Sequence, residues 1–204
     1  MEVVAIVTPL GGDGLVHHAF TLRLLDIYTA LSPVAGVRVL FSKHYAVDVA
    51  REAGVEYAVA QGATRILFID SDIVPTDVAA VLKLLAADLP FVCGVYWEKN
   101  LRGLNLHVKH GGAYTNLRAA PQGMFPVDVC GLGFALIDAE VFKSLDRPWF
   151  SLKPMGEDVY FAEKARAIGV RPVAVGEAQA LHIVGGNLAL APDGRLISLA
   201  SSPS

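Results

Sequence analysis

The chain has 204 residues, 53% hydrophobic and 18% charged, with a formal net charge of −3. That length fits one domain more easily than two, and the slight negative charge without a long basic run argues against nucleic acid as a partner. No transmembrane segment is expected, because a helical span needs about 20 consecutive apolar residues; no signal peptide is expected either, and the apolar richness fits strands buried on both faces.

Residues 3–8 are an apolar, β-branched run ending at Pro9 and read as a buried strand. Gly11-Gly12-Asp13-Gly14 follows, then helical spacing over residues 15–31, with Asp13 as the expected cap. A strand over 37–41, a helix over 45–61 with a break at Gly54, and a strand over 65–69 come next. That third strand runs into Asp70-Ser71-Asp72, followed by a helix over 77–87 and a strand over 91–95. Strand alternating with helix predicts a layered α/β sheet of mostly parallel strands.

The pattern changes after Tyr96. Residues 97–103 are polar and irregular, 104–117 read as a hairpin turning at Gly111-Gly112, and 118–126 read as a loop. Residues 127–138 regain strand character, interrupted by Gly131 and Gly133. A short helix over 139–145, a loop with Pro148, Trp149 and Phe150, a helix over 157–168 and a strand over 171–175 follow. Residues 187–199 suggest a last hairpin around Pro192-Asp193-Gly194. The whole chain, 1–204, reads as one domain whose pattern divides into 1–96 and 97–204. Cys93 and Cys130 lie in apolar runs without metal spacing, as expected of packed thiols in a reducing cytoplasm.

Asp70 and Asp72 directly follow Ile66-Leu67-Phe68-Ile69. Ligands of open α/β sheets bind beyond the carboxyl ends of strands. Two carboxylates there, one residue apart, suit a hard cation bridging protein oxygens to phosphates. Asp and Ser are also common turn and cap residues.

The segment from Arg65 through Asp70-Ser71-Asp72 to Pro75 resembles the DxD segment of GT-A-type glycosyltransferases of the family-2-like group. Val127-Asp128-Val129-Cys130-Gly131-Leu132-Gly133-Phe134 resembles their glycine-containing strand at the acceptor side. Pro148-Trp149-Phe150 with Gly156-Glu157-Asp158 is similar to their Glu-Asp motif, and Leu181-His182 to their late metal-binding histidine. The segments keep the family's order, and the likeness covers roughly residues 3–185. The Gln-x-x-Arg-Trp motif of processive polysaccharide synthases is absent.

The resemblance implies a three-layer α/β/α GT-A fold, with 1–96 as the nucleotide-binding half and 97–204 as the half that supplies the acceptor side and completes the metal site, and transfer of a sugar from a UDP- or GDP-sugar to an acceptor hydroxyl, with Mg²⁺ or Mn²⁺. It implies Asp72 and His182 as metal ligands, and Asp70 on the metal or the ribose, beside Ser71. Thr8 and Pro9 would lie at the nucleotide base, and Arg51 near the base or diphosphate. Asp158 would be the catalytic base, and Glu157 would hydrogen-bond donor or acceptor hydroxyls. The acceptor is a glycan, lipid or protein, and the hairpin tail leaves room for pairing with a second copy of the chain.

Two other readings compete. A sugar nucleotidyltransferase shares the sheet and the chemistry, but normally carries a basic glycine-rich loop after its first strand. The Gly11 to Gly14 loop has no Lys or Arg beside it in sequence. A non-catalytic module binding nucleotide sugar or glycan would not need five acidic and histidine site residues.

Overall fold

The computed structural model describes residues 2–11 and 14–199. Its elements run β1 (Val3–Leu10), α1 (His18–Leu31), β2 (Gly36–Lys43), α2 (Val47–Ala60), β3 (Arg65–Ile69), β4 (Ile73–Pro75), α3 (Val78–Ala86) and β5 (Phe91–Val95). Next come β6 (Leu106–His110), β7 (Ala113–Asn116), β8 (Met124–Pro126), β9 (Val129–Cys130), β10 (Phe134–Asp138), α4 (Ala139–Lys143) and α5 (Glu157–Ala167). The described chain ends with β11 (Val173–Gly185), β12 (Leu188–Leu190) and β13 (Leu196–Ser198).

The fold is mixed α/β around a mostly parallel sheet. The sheet runs β13-β12-β11-β5-β10-β3-β1-β2. Strands β2, β1 and β3 are mutually parallel, as are β5 and β11, and β10 runs antiparallel between β3 and β5. Central strands carry apolar residues on both faces because both faces are covered. Ala5, Val7, Ile66 and Phe68 face α2, α4 and α5, while Val4, Ile6, Leu67 and Ile69 face α1 and α3. Each α-helix contributes a stripe to one of these two cores, such as Ala80, Val81 and Leu84 of α3. No described helix is long and apolar enough to cross a membrane.

Several local expectations change. Asp13 lies outside the described residues; the cap of α1 is His17, whose Nδ1 accepts from the Ala19 amide at 3.2 Å. Helix α2 passes unbroken through Gly54, because the missing Cβ lets it press on β1: a Cβ there would sit 2.5 Å from Val7 Cγ1. Asp77 caps α3 by accepting from the Ala80 amide at 2.7 Å. The short strands β4 and β8 have too few residues for any periodic signal. Strand β11 runs well past Val175, pairing first with β5 and then with β4 and β12. Residues 127–138 split into β9 and β10 at Gly131-Leu132-Gly133.

Candidate active site

The carboxyl ends of β3 and β5, the start of β10 and the start of α5 meet at one end of the sheet. Asp70, the first residue past β3, is held by its amide donating to the Gly133 carbonyl at 3.0 Å. Its carboxylate takes two parallel hydrogen bonds from Arg51, Nη1 to Oδ1 and Nη2 to Oδ2, both 2.9 Å. Arg51 is 2% exposed and rises from α2 under the site, over the ring of Phe68. Its Nε lies 3.5 Å from Glu157 Oε1. Burial opposes the guanidinium charge, but Asp70, Asp158 and Glu157 outweigh it and push the group's pKa further up. A planar fork matching a carboxylate is a use that lysine cannot fill.

Glu157 and Asp158 open α5 after Gly156, whose φ of 102° suits a residue without Cβ. Asp158 is partly buried, and its Oδ1 accepts from the Leu132 amide at 3.2 Å. Burial first, and then the neighbouring Glu157 charge, push its carboxyl up to about 7, with Arg51 and the Leu132 amide pulling the other way. The glycines around Leu132 make room for Tyr96. A Cβ on Gly131 would lie 2.3 Å from the Tyr96 hydroxyl, and one on Gly133 would lie 2.9 Å from that hydroxyl and 3.0 Å from Asp70 Oδ2. Tyr96 is therefore wedged between the acidic cluster and His182, which it meets edge-on at 5.4 Å. Burial raises the phenol pKa, and Asp158 and Asp70 add to the rise.

Asp72 stands apart from that cluster. Pairing of β4 with β11 sets His182 opposite Ile73, and the Ile183 amide donates to the Asp72 carbonyl at 2.8 Å. This brings His182 Nε2 to 3.6 Å from Asp72 Oδ2. The other ring nitrogen, Nδ1, lies 2.8 Å from the Trp97 carbonyl. A carbonyl can only accept, so Nδ1 carries the proton. In the neutral ring Nε2 then presents a lone pair to a carboxylate oxygen. Two acceptors facing each other need a proton or a metal ion between them. One carboxylate and one carbonyl-oriented imidazole are a common donor set for a divalent ion that completes its shell with phosphates and water. Asp72 and His182 thus fit such an ion, although among the described residues no group of three or more His, Cys, Asp and Glu side chains is assembled for one.

Lys99 occupies the same oxygen: its Nζ lies 2.5 Å from Asp72 Oδ2. Burial would raise the Asp72 pKa, but His182 and Lys99 together hold it down at about 2. Ser71 is a turn residue between β3 and β4. Thr8 and Pro9 are buried near the end of β1, and Thr8 Oγ1 has no hydrogen-bond partner among the described residues. The Val7–Phe68 pairing puts Thr8 at the same sheet end as Asp70. The structure thus gathers Arg51, Asp70, Glu157 and Asp158 into one cluster and Asp72 with His182 into another.

Three residues were missed by sequence reasoning. Tyr96 and Lys99 closely follow β5, and the rule that strand ends form sites, applied to β5 as it was to β3, points to both. Lys43 was hidden by distance in sequence: it ends β2, and its Nζ would be 3.2 Å from a Cβ on Gly14.

No protein-family model matches this chain, and no curated protein matches it. Among solved structures it is similar to the crystal structure of A197 from STIV, 26% identical with a TM-score of 0.73, over 100% of this chain and 97% of that one. The two chains share a fold along their whole length. A weaker likeness, TM-score 0.45 and 15% identity, is to mannose-1-phosphate geranyltransferase from Thermus thermophilus, over 86% of this chain and 74% of that one.

Proposed function

We propose that this chain transfers a sugar from a UDP- or GDP-sugar to an acceptor hydroxyl with Mg²⁺ or Mn²⁺, on a three-layer GT-A-type scaffold. The observation that carries the reading is Asp158. It is a carboxylate held by the Leu132 amide beside the Arg51–Glu157–Asp70 cluster, pushed above the ordinary carboxylate range by burial, at the sheet end that also bears Asp72 and His182.

A base is most effective when its pKa lies near the working pH. Asp158 takes the acceptor hydroxyl's proton as that oxygen bonds to the anomeric carbon and the bond to the diphosphate breaks. Asp72 and His182 would hold the metal ion, which, when bound, supplies Lewis-acid stabilisation of the leaving diphosphate. Arg51 keeps Asp70 in one orientation, ready to accept from a ribose or sugar hydroxyl. Glu157 lies where it can hydrogen-bond hydroxyls of donor or acceptor. Tyr96 fills the floor between the two clusters and keeps water from collecting beneath the sugar.

The test is turnover of UDP- and GDP-sugars with Mn²⁺, measured as release of the nucleoside diphosphate. Asp158→Asn is expected to lower kcat by roughly 10²–10⁴-fold, the usual contribution of a general base, with little change in donor KM. Wild-type kcat in that variant would sink the base assignment.

One observation favours a second reading, nucleotidyl transfer. Lys43 beside Gly14 places a cation at the glycine loop after β1, where such enzymes hold a triphosphate. Pyrophosphate release from a nucleoside triphosphate and a sugar phosphate, lost in Lys43→Met, would establish it in place of sugar transfer.

A further inference from the structure

Two cationic or protonatable groups converge on one oxygen of Asp72. Lys99 Nζ is 2.5 Å from Oδ2, and His182 Nε2 is 3.6 Å from the same atom. The Lys99 side chain is about half exposed, so it can leave without breaking the core. Lys99 also belongs to the stretch that orients His182, since the Trp97 carbonyl two residues earlier receives the imidazole Nδ1–H. That stretch is closed on itself by the Glu98 amide donating to Gly103 at 2.9 Å and by the Trp97–Leu104 bridge. The ammonium therefore occupies the carboxylate oxygen that a divalent ion shared by Asp72 and His182 would need, on a segment whose backbone already serves that ion's other ligand.

We propose that Lys99 is a resident stand-in for the metal ion, and that the donor's diphosphate draws Lys99 off Asp72, so that ion and nucleotide bind cooperatively. This rests on the metal-dependent donor reading above. Two cations cannot share one carboxylate oxygen without repulsion. A diphosphate offers the ammonium a better-charged partner, and the freed carboxylate and imidazole then accept the ion. Lys99 moves from guarding the protein ligand to contacting the phosphates, which keeps the cluster neutralised in both states. By linkage, each ligand strengthens the other by the same factor.

Isothermal titration of the full chain with Mn²⁺ alone, and again with saturating UDP or GDP, tests this. In the wild type, Mn²⁺ alone should bind weakly and the nucleoside diphosphate should tighten it at least tenfold. Lys99→Met should bind Mn²⁺ alone about five- to twentyfold tighter, and the gain from nucleoside diphosphate should shrink. Lys99→Arg, which keeps the charge, should behave like the wild type. Unchanged or weaker Mn²⁺ binding in Lys99→Met, with the wild type still binding through Asp72 (lost in Asp72→Asn), would overturn the stand-in role and leave the donor reading intact. Absence of Mn²⁺ binding in the wild type and in Lys99→Met, with and without nucleotide, would overturn both.

Discussion

Asp70 and Asp72 are separated by one residue, yet they belong to two clusters that are satisfied in different ways. Asp70 shares a nearly inaccessible guanidinium with Glu157, and Asp158 adds its charge to the same field. Asp72 is partly open to solvent and is met by an exchangeable type of cation, a lysine on a half-exposed stem. The first cluster cannot change its partner without disturbing the packing of α2 on the sheet. The second can change its partner at little cost, because exposed ion pairs contribute only about 0–1 kcal/mol. A rigid buried counter-charge suits residues that must hold one geometry, and an exchangeable surface counter-charge suits residues that must receive a ligand.

The sharpest way to break this comparison is to remove the buried cation. Arg51→Met leaves Asp70 and Glu157 facing a low-dielectric interior, and should cost about 3–5 kcal/mol in urea unfolding, the usual penalty for orphaning a buried charge. A loss no larger than that of a surface substitution would mean that the cluster is hydrated.

A smaller effect depends on pH. The Asp158 carboxyl has a raised pKa when folded, so the folded chain holds a proton that the unfolded chain has released between about pH 4 and 7. Stability of the wild type should therefore fall as pH rises through that window. Asp158→Asn should lack this fall and melt higher than the wild type at pH 8, with the gap closing toward pH 4. Catalysis should run the opposite way, rising through about pH 7 as Asp158 ionises; parallel melting curves for the two proteins at all pH values would rule out the raised pKa.

Gly131→Ala probes the wall between the clusters. Its methyl group would meet the Tyr96 hydroxyl at 2.3 Å, and overpacking of this kind costs about 1–3 kcal/mol. At the foot of the scale, Lys99→Met should shift unfolding by less than about 1 kcal/mol, while changing Mn²⁺ affinity as described above. A stability loss comparable to that of Arg51→Met would make Lys99 structural and erase the contrast.

Much of the frame is legible in the sequence. The bounds of β3 and β5 follow from continuous apolar runs, and the β6–β7 hairpin turns at Gly111-Gly112 as its glycines indicate. Asp70 and Asp72 stand out by their place at the end of an apolar strand, whereas Glu157, Asp158 and His182 stand out only through the resemblance to the family's motifs. Their grouping does not stand out. The Arg51–Asp70 fork depends on α2 packing over β1 and β2 so that Arg51 reaches across Phe68 to the end of β3, and the Asp72–His182 approach depends on β4, a strand too short to carry a pattern. Tertiary pairing of this kind has no trace in local periodicity. The same holds for Lys43 beside Gly14, which meet only because β1 and β2 run parallel.

The position of β10 has a consequence for how the protein is made. It lies between β3 and β5 in the sheet, yet it follows both in the chain. A ribosome that has released residues 1–96 has delivered two strands whose shared neighbour is still unsynthesised. Their open edges invite pairing with other chains, and non-local closure of this sort slows folding. When β10 arrives it follows directly on Gly131-Leu132-Gly133, and the Leu132 amide then awaits Asp158 of α5. The gap between β3 and β5 and the seat of the proposed base are thus completed within one short stretch of translation, before β11 covers the other edge of β5 and brings His182 to Asp72.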